Sequence, residues 1–194
     1  MAAAGTVAAV VVLLAGSAVA ATATVSVVDG AFQPNVTQVR LADLVEWDFA
    51  AANTAQHSAT ENSGLGVWDS GLQSPGATFM FSFAVSGTFP YHCVIHHEMV
   101  GQVKVVPLAS PTTGTQTTTF VIRWASAIPA GDTYTVQVKG PQDTTFGQFR
   151  TGTTATAASF VPNEGIGTYQ FRSQLRSGTV ASQFSPPRAI RVTS

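Results

Sequence analysis

The chain has 194 residues, of which 45% are hydrophobic and 10% charged, with a formal net charge of −1. That length suits one large domain or two smaller ones, and so few charges fit a protein built of buried strands. A single cysteine excludes an internal disulfide.

The first twenty residues read as an export signal peptide. Val7 to Leu14 is a short apolar run, followed by small residues and Ala18-Val19-Ala20, an A-x-A cleavage pattern before Ala21. The segment before Val7 carries no Lys or Arg, where a leader of this kind has a basic start. The apolar run is too short for a membrane span, and no other segment could make one. Export gives the lone Cys93 a meaning. In an oxidising compartment an unpaired thiol points to an intermolecular bond or a special role, of which metal coordination is one.

From Ala23 on, the sequence predicts strands and no helix. Val25, Val27 and Val28 open a strand that ends at the turn signal Asp29-Gly30. Val36 to Leu41 is the next, and Leu44 to Phe49 follows with Val45, Trp47 and Phe49 on one face by the two-residue period. Ala50 to Gln56 reads as a loop, His57 to Thr60 as a short stretch, and Glu61 to Gly66 as another loop. After Val67-Trp68 and the turn Pro75-Gly76, Phe79, Phe81 and Phe83 share a face and belong to the core.

The stretch GTFPYHCVIHHEMVGQVKVV, from Gly87 to Val106, concentrates the chemistry. It holds Cys93, Met99 and three of the four histidines in the chain. Strands flank the loop that carries Cys93, His96 and Met99 at C-x2-H-x2-M spacing. A thiolate, an imidazole and a thioether form a soft ligand set that favours copper, and the blue-copper arrangement asks for one more histidine. Only His57 lies outside the stretch. His92 adjoins Cys93 in a strand and points to the opposite face; His97 reads as an exposed loop residue.

Taken in order, Phe32-x-Pro34, Asp43 with Val45-x-Trp47, His57, Asp69-Ser70-Gly71, the three-phenylalanine strand and Gly87-Thr88-Phe89-Pro90-Tyr91-His92-Cys93 resemble the cupredoxin family. The loop Cys93-x2-His96-x2-Met99 is similar to the short-loop amicyanin variety, and the resemblance covers about Val25 to Val106. It implies an eight-stranded Greek-key sandwich holding one type-1 copper ion on His57, Cys93, His96 and Met99. It also implies that His96 reaches the surface, where electrons pass to a docked redox partner. Family members often have prolines beside the loop histidine; here Val94, Ile95 and His97 stand instead. The hydroxyl of Ser58 is a candidate to bond across to the Cys93 segment.

Beyond Val106 a Pro-, Thr- and Ser-rich segment, residues 107–117, reads as a linker between the copper domain of residues 21–106 and a second domain of residues 118–194. Strands are predicted at Phe120 to Trp124, Tyr134 to Lys139 and Gly167 to Arg176. Trp124, Tyr134, Tyr169 and Ser185-Pro186-Pro187 are placed as in a fibronectin type III domain, which this half resembles. The expected fold class is therefore all-β: a Greek-key cupredoxin sandwich followed by a second Ig- or fibronectin-like β-sandwich.

Charge divides between the halves. Residues 21–106 carry seven acids against Arg40 and Lys104, whereas residues 107–194 carry three acids against six Arg and Lys139. The acidic half suits a basic redox partner and has no basic–aromatic patch for nucleic acid. Arg172 and Arg176 share one face of the basic half, suiting an anionic cell-surface polymer, or else the two halves attract each other. No Ser-His-Asp or paired-carboxylate arrangement fits the spacings, and four protein ligands leave no open metal position, so the expectation is an electron carrier and not an enzyme. A copper storage or delivery module would use the same ligands. An adhesive surface protein with a relic site is a third reading.

Overall fold

In a computed structural model of the chain, residues 20–194 are described. The expected signal peptide lies outside the described residues but for Ala20. Among those residues no helix is long and apolar enough to cross a membrane.

Eight strands make the first half: β1 (Thr22–Val28), β2 (Ala31–Gln33), β3 (Val36–Arg40), β4 (Leu44–Phe49), β5 (Thr60–Glu61), β6 (Thr78–Ser82), β7 (Gly87–His92) and β8 (Val100–Val106). They form two four-stranded sheets, ordered β2-β1-β4-β6 and β3-β8-β7-β5. The chain changes sheet at every step except β1 to β2 and β7 to β8, which is a Greek-key sandwich with one tight hairpin-like pair. β1 runs parallel to β4, so both strands end at the same edge of the sandwich, beside Asp29 and Ala50. The alternation read in β4 decides its orientation, because Val45, Trp47 and Phe49 are fully buried while Asp48 is exposed. Of the three phenylalanines near β6, Phe83 is fully buried; Phe79 and Phe81 are only partly covered, because β6 is an edge strand.

The second half holds β9 (Leu108–Ser110), β10 (Thr113–Thr115), β11 (Phe120–Arg123), β12 (Asp132–Lys139), β13 (Gly147–Thr153), β14 (Ala157–Phe160), β15 (Gly167–Ser177), β16 (Val180–Ala181) and β17 (Arg188–Thr193). One sheet runs β10-β17-β15-β12-β13 with β16 on β15, and a three-stranded sheet runs β14-β11-β9. The long strand β15 buries Tyr169, Phe171, Ser173 and Leu175 on one face and turns Arg172 and Arg176 to the other. The Tyr169 hydroxyl donates to the Gly165 carbonyl at 3.0 Å and accepts the Glu164 N–H at 2.9 Å, closing the corner before β15.

The expected linker at residues 107–117 is not a free linker. β9 pairs antiparallel with β11, and β10 pairs parallel with β17. Its composition suggested an extended, solvated tether, but threonine is also a good strand residue, and the open edges of β11 and β17 supply the missing ladder bonds. Pro107 alone separates β8 from β9.

With so short a connection the two sandwiches share one hydrophobic cluster, from Val25 and Trp47 through Val85 to Trp124, Tyr134 and Ile190. The seam is closed by buried polar groups. The Ser86 hydroxyl bonds the Trp124 carbonyl and the Ser173 hydroxyl, each at 2.6 Å, and the Tyr134 hydroxyl donates to the Ser86 carbonyl at 3.2 Å. Thr88 and Gln183 exchange both backbone bonds across it. Among the described residues the recorded ion pair is His57 with Asp29, within the first half. Apolar packing and hydrogen bonds therefore join the halves, and paired opposite charges do not.

Candidate metal centre

Cys93 follows directly on β7, and Met99 directly precedes β8. The seven-residue loop between them is closed by its own backbone: the Cys93 N–H donates to the Met99 carbonyl at 3.1 Å, and the Met99 N–H to the His96 carbonyl at 2.9 Å. That closure sets His96 beside Cys93 and buries Met99 in the same core cluster as Cys93. His57 comes from the other side of the sandwich end. It exchanges backbone bonds with Gln73 (3.2 and 2.8 Å), while the neighbouring Ala59 N–H donates to the Ser70 hydroxyl at 2.8 Å.

Three donor atoms converge there. His57 Nδ1 lies 3.9 Å from Cys93 Sγ, His96 Nδ1 lies 3.6 Å from the same sulfur, and the two nitrogens are 3.1 Å apart. Ordinary metal bonds of about 2.0 Å to nitrogen and about 2.3 Å to sulfur allow one ion to bridge nitrogens up to about 4 Å apart, and a nitrogen and a sulfur up to about 4.3 Å apart. All three separations fall inside those limits, so the donors fit a single ion without moving. A thiolate with two imidazoles suits copper or zinc; Met99 is buried in the same core cluster, and a thioether added to the set would favour copper.

The sulfur is prepared to be anionic. Burial pushes the Cys93 thiol up, but the Ser58 and Ile95 amides and the His57 and His96 rings bonded to the sulfur outweigh it and bring it down to about 6. The Ser58 N–H reaches the sulfur at 3.3 Å. The Ser58 hydroxyl meanwhile accepts the Val94 N–H at 3.0 Å, the bond across to the cysteine segment anticipated from the sequence. Cys93, Ser58 and His57 are buried, whereas His96 is half-exposed and flanked by the exposed side chains of Val94 and Ile95.

Sequence reasoning missed one participant. Asp29 Oδ1 lies 2.8 Å from His57 Nε2, the ring nitrogen that faces away from the sulfur. The two lie 28 positions apart, and the parallel β1–β4 pairing brings Asp29 to the loop that precedes His57; a turn-type Asp-Gly gave no hint of it. His92 is half-buried on the opposite face of β7, its Nδ1 buried without a hydrogen-bond partner, and its ring stands 5.9 Å from that of the exposed His97.

No family model matches the chain, and no curated protein matches it. Solved structures do. A reduced amicyanin variant is 24% identical over 47% of this chain and 87% of its own, with a TM-score of 0.39. A second amicyanin variant, in its reduced Cu(I) form at pH 4, is 20% identical over 47% of this chain and 86% of its own, with a TM-score of 0.40. A purple cupredoxin from Nitrosopumilus maritimus is 20% identical over 43% of this chain and 98% of its own, with a TM-score of 0.39.

Proposed function

We propose that this chain is an exported type-1 copper protein that carries single electrons, with His57, Cys93, His96 and Met99 as the ligands of one copper ion. The observation that carries the reading is the convergence of His57 Nδ1, Cys93 Sγ and His96 Nδ1 within bonding reach of one ion. Copper held there supplies a one-electron couple. The residues do the rest. Cys93 enters as a thiolate at neutral pH because the Ser58 and Ile95 amides donate to the sulfur and stabilise its charge. The closed loop and the Ser58–Val94 bond hold the donors in one arrangement, which limits reorganisation when the charge of the site changes by one.

Burial of three of the four ligand candidates favours retention of the metal over its hand-off, which argues for electron transfer above storage or delivery. It also leaves no catalytic step to assign. Half-exposed His96, among Val94 and Ile95, offers the place where a redox partner comes nearest, and the acid excess of residues 21–106 suits a basic one. For the second half we propose a fibronectin type III-like domain, supported by its two sheets and by the Tyr169 corner bond. Contact with an anionic cell-surface polymer would fall to its basic residues. Arg172 is less free for that than its neighbours, because its guanidinium lies between the rings of Phe146 and Phe184 (4.1 and 4.5 Å) and donates to Gln137.

Voltammetry of the copper-loaded full chain tests the proposal. A reversible one-electron wave with fast self-exchange is expected. Irreversible behaviour, with copper passing readily to a competing chelator, would instead establish a delivery module.

A further inference from the structure

We propose that Asp29 is the positioning residue of this centre: its carboxylate fixes which nitrogen of His57 faces the ligand cluster, and its charge favours the oxidised state of the site. The first half of this inference concerns the metal-free protein, and the second rests on the copper reading above.

The geometry makes the argument. One oxygen of Asp29, Oδ2, accepts both the Thr54 N–H and the Thr54 hydroxyl at 2.8 Å. Thr54 belongs to the same 50–57 loop that leads to His57, and the Asn53 side chain ties that loop to the Val27 carbonyl at 2.8 Å. The carboxylate therefore cannot turn away, and its free oxygen, Oδ1, is aimed at His57 Nε2. A carboxylate is ionised at neutral pH, so in its bond to the imidazole Asp29 can only accept. The proton of that bond must then sit on Nε2. In a neutral ring this leaves the lone pair on Nδ1, the atom that faces Cys93 Sγ and His96 Nδ1.

Such an outer carboxylate also raises the basicity of a metal-bound imidazole. A negative charge one ring away from the ion stabilises the higher oxidation state more than the lower one. Because Asp29 is 42% exposed, water screens part of that effect. Both roles fall to a residue outside the ligand set.

Two variants of the full chain test orientation and charge. Asp29→Asn removes the charge and leaves one acceptor where the carboxylate has two. With its oxygen held by Thr54, its NH2 faces Nε2 and calls for the opposite tautomer, whereas Asp29→Ala removes the charge and every contact. In the metal-free proteins, long-range nitrogen–proton NMR of the His57 ring is expected to show Nε2–H alone in the wild type, a shift toward Nδ1–H in Asp29→Asn, and a mixture of tautomers in Asp29→Ala. In the copper-loaded proteins, Asp29→Asn is expected to raise the reduction potential. A tenfold loss of preference for Cu(II) over Cu(I) corresponds to about 59 mV. Copper affinity is expected to fall about 10–100-fold in both variants. An unchanged tautomer in Asp29→Ala would overturn the positioning role, and an unchanged potential in Asp29→Asn would overturn the charge role. A wild-type chain that bound no copper would instead overturn the function proposed above, with the tautomer result still deciding the role of Asp29.

Discussion

Ser58→Ala isolates the bond that couples the two ligand-bearing segments. The Ser58 side chain is fully buried, and its oxygen accepts the Val94 N–H at 3.0 Å and meets the Thr60 hydroxyl at 3.0 Å. Truncation leaves the Val94 amide, on the first residue after Cys93, facing a methyl group at a fully buried position. An abandoned buried donor costs about 1–3 kcal/mol, more than the roughly 1 kcal/mol net of an ordinary bond. Urea denaturation of the metal-free chain measures this as a lower midpoint at unchanged slope. Thr60→Ala is the control. The Thr60 hydroxyl donates to Asp69 and so accepts from Ser58; truncation frees the Ser58 O–H, which, unlike the fixed Val94 amide, can rotate, so this change should cost less, about 1 kcal/mol. The Ser58 backbone N–H still reaches the sulfur in both variants. If Ser58→Ala were no worse than Thr60→Ala, the bond to Val94 would not be what holds the loop.

Other outcomes follow from the same geometry. Cys93 in the metal-free protein should titrate with a midpoint near 6, followed by thiolate absorbance, against an ordinary thiol value of 9.0. Because the folded value is the lower one, the stabilisation is complete above about pH 9 and is lost as pH falls through about 6; metal-free stability rising toward low pH would contradict this. The shared core predicts that both sandwiches unfold in one transition, with backbone and aromatic circular dichroism coincident, and two separated transitions would refute the coupling. Ser86→Ala removes the hydroxyl bonds to the Trp124 carbonyl and the Ser173 hydroxyl, while the Ser86 N–H still serves that carbonyl and Ser185 still faces Ser173, so it should destabilise that single transition by about 0.5–1.5 kcal/mol.

Much of this was legible in the sequence, for identifiable reasons. The strands that alternate strongly, β4 and β15, bury the faces their patterns assign, because side chains on a strand leave little choice about which face meets a core. The loop from Cys93 to Met99 was legible because its spacing is local, and His57 because it is the one histidine outside the Gly87 to Val106 stretch. Ser58 could be suspected from its neighbour alone. What escaped depends on tertiary pairing. Leu108–Ser110 and Thr113–Thr115 are strands only because β11 and β17 have edges to fill, and Pro and Ser in the segment concealed that. The seam at Ser86, Tyr134 and Ser173 joins residues up to 87 positions apart through buried hydroxyls, which carry no periodic signal. Asp29 reads as a turn residue until the parallel β1–β4 register places it beside the His57 loop.

The claim on which the account turns is that Cys93 binds copper as a thiolate beside two imidazoles. Titration of the full chain with Cu(II), followed by visible absorption beside a Cys93→Ser variant, tests it most directly. The account predicts an intense blue charge-transfer band that saturates at one equivalent in the wild type and is absent from the variant. A wild-type protein that stayed colourless at every ratio, or a variant with the same spectrum, would contradict it.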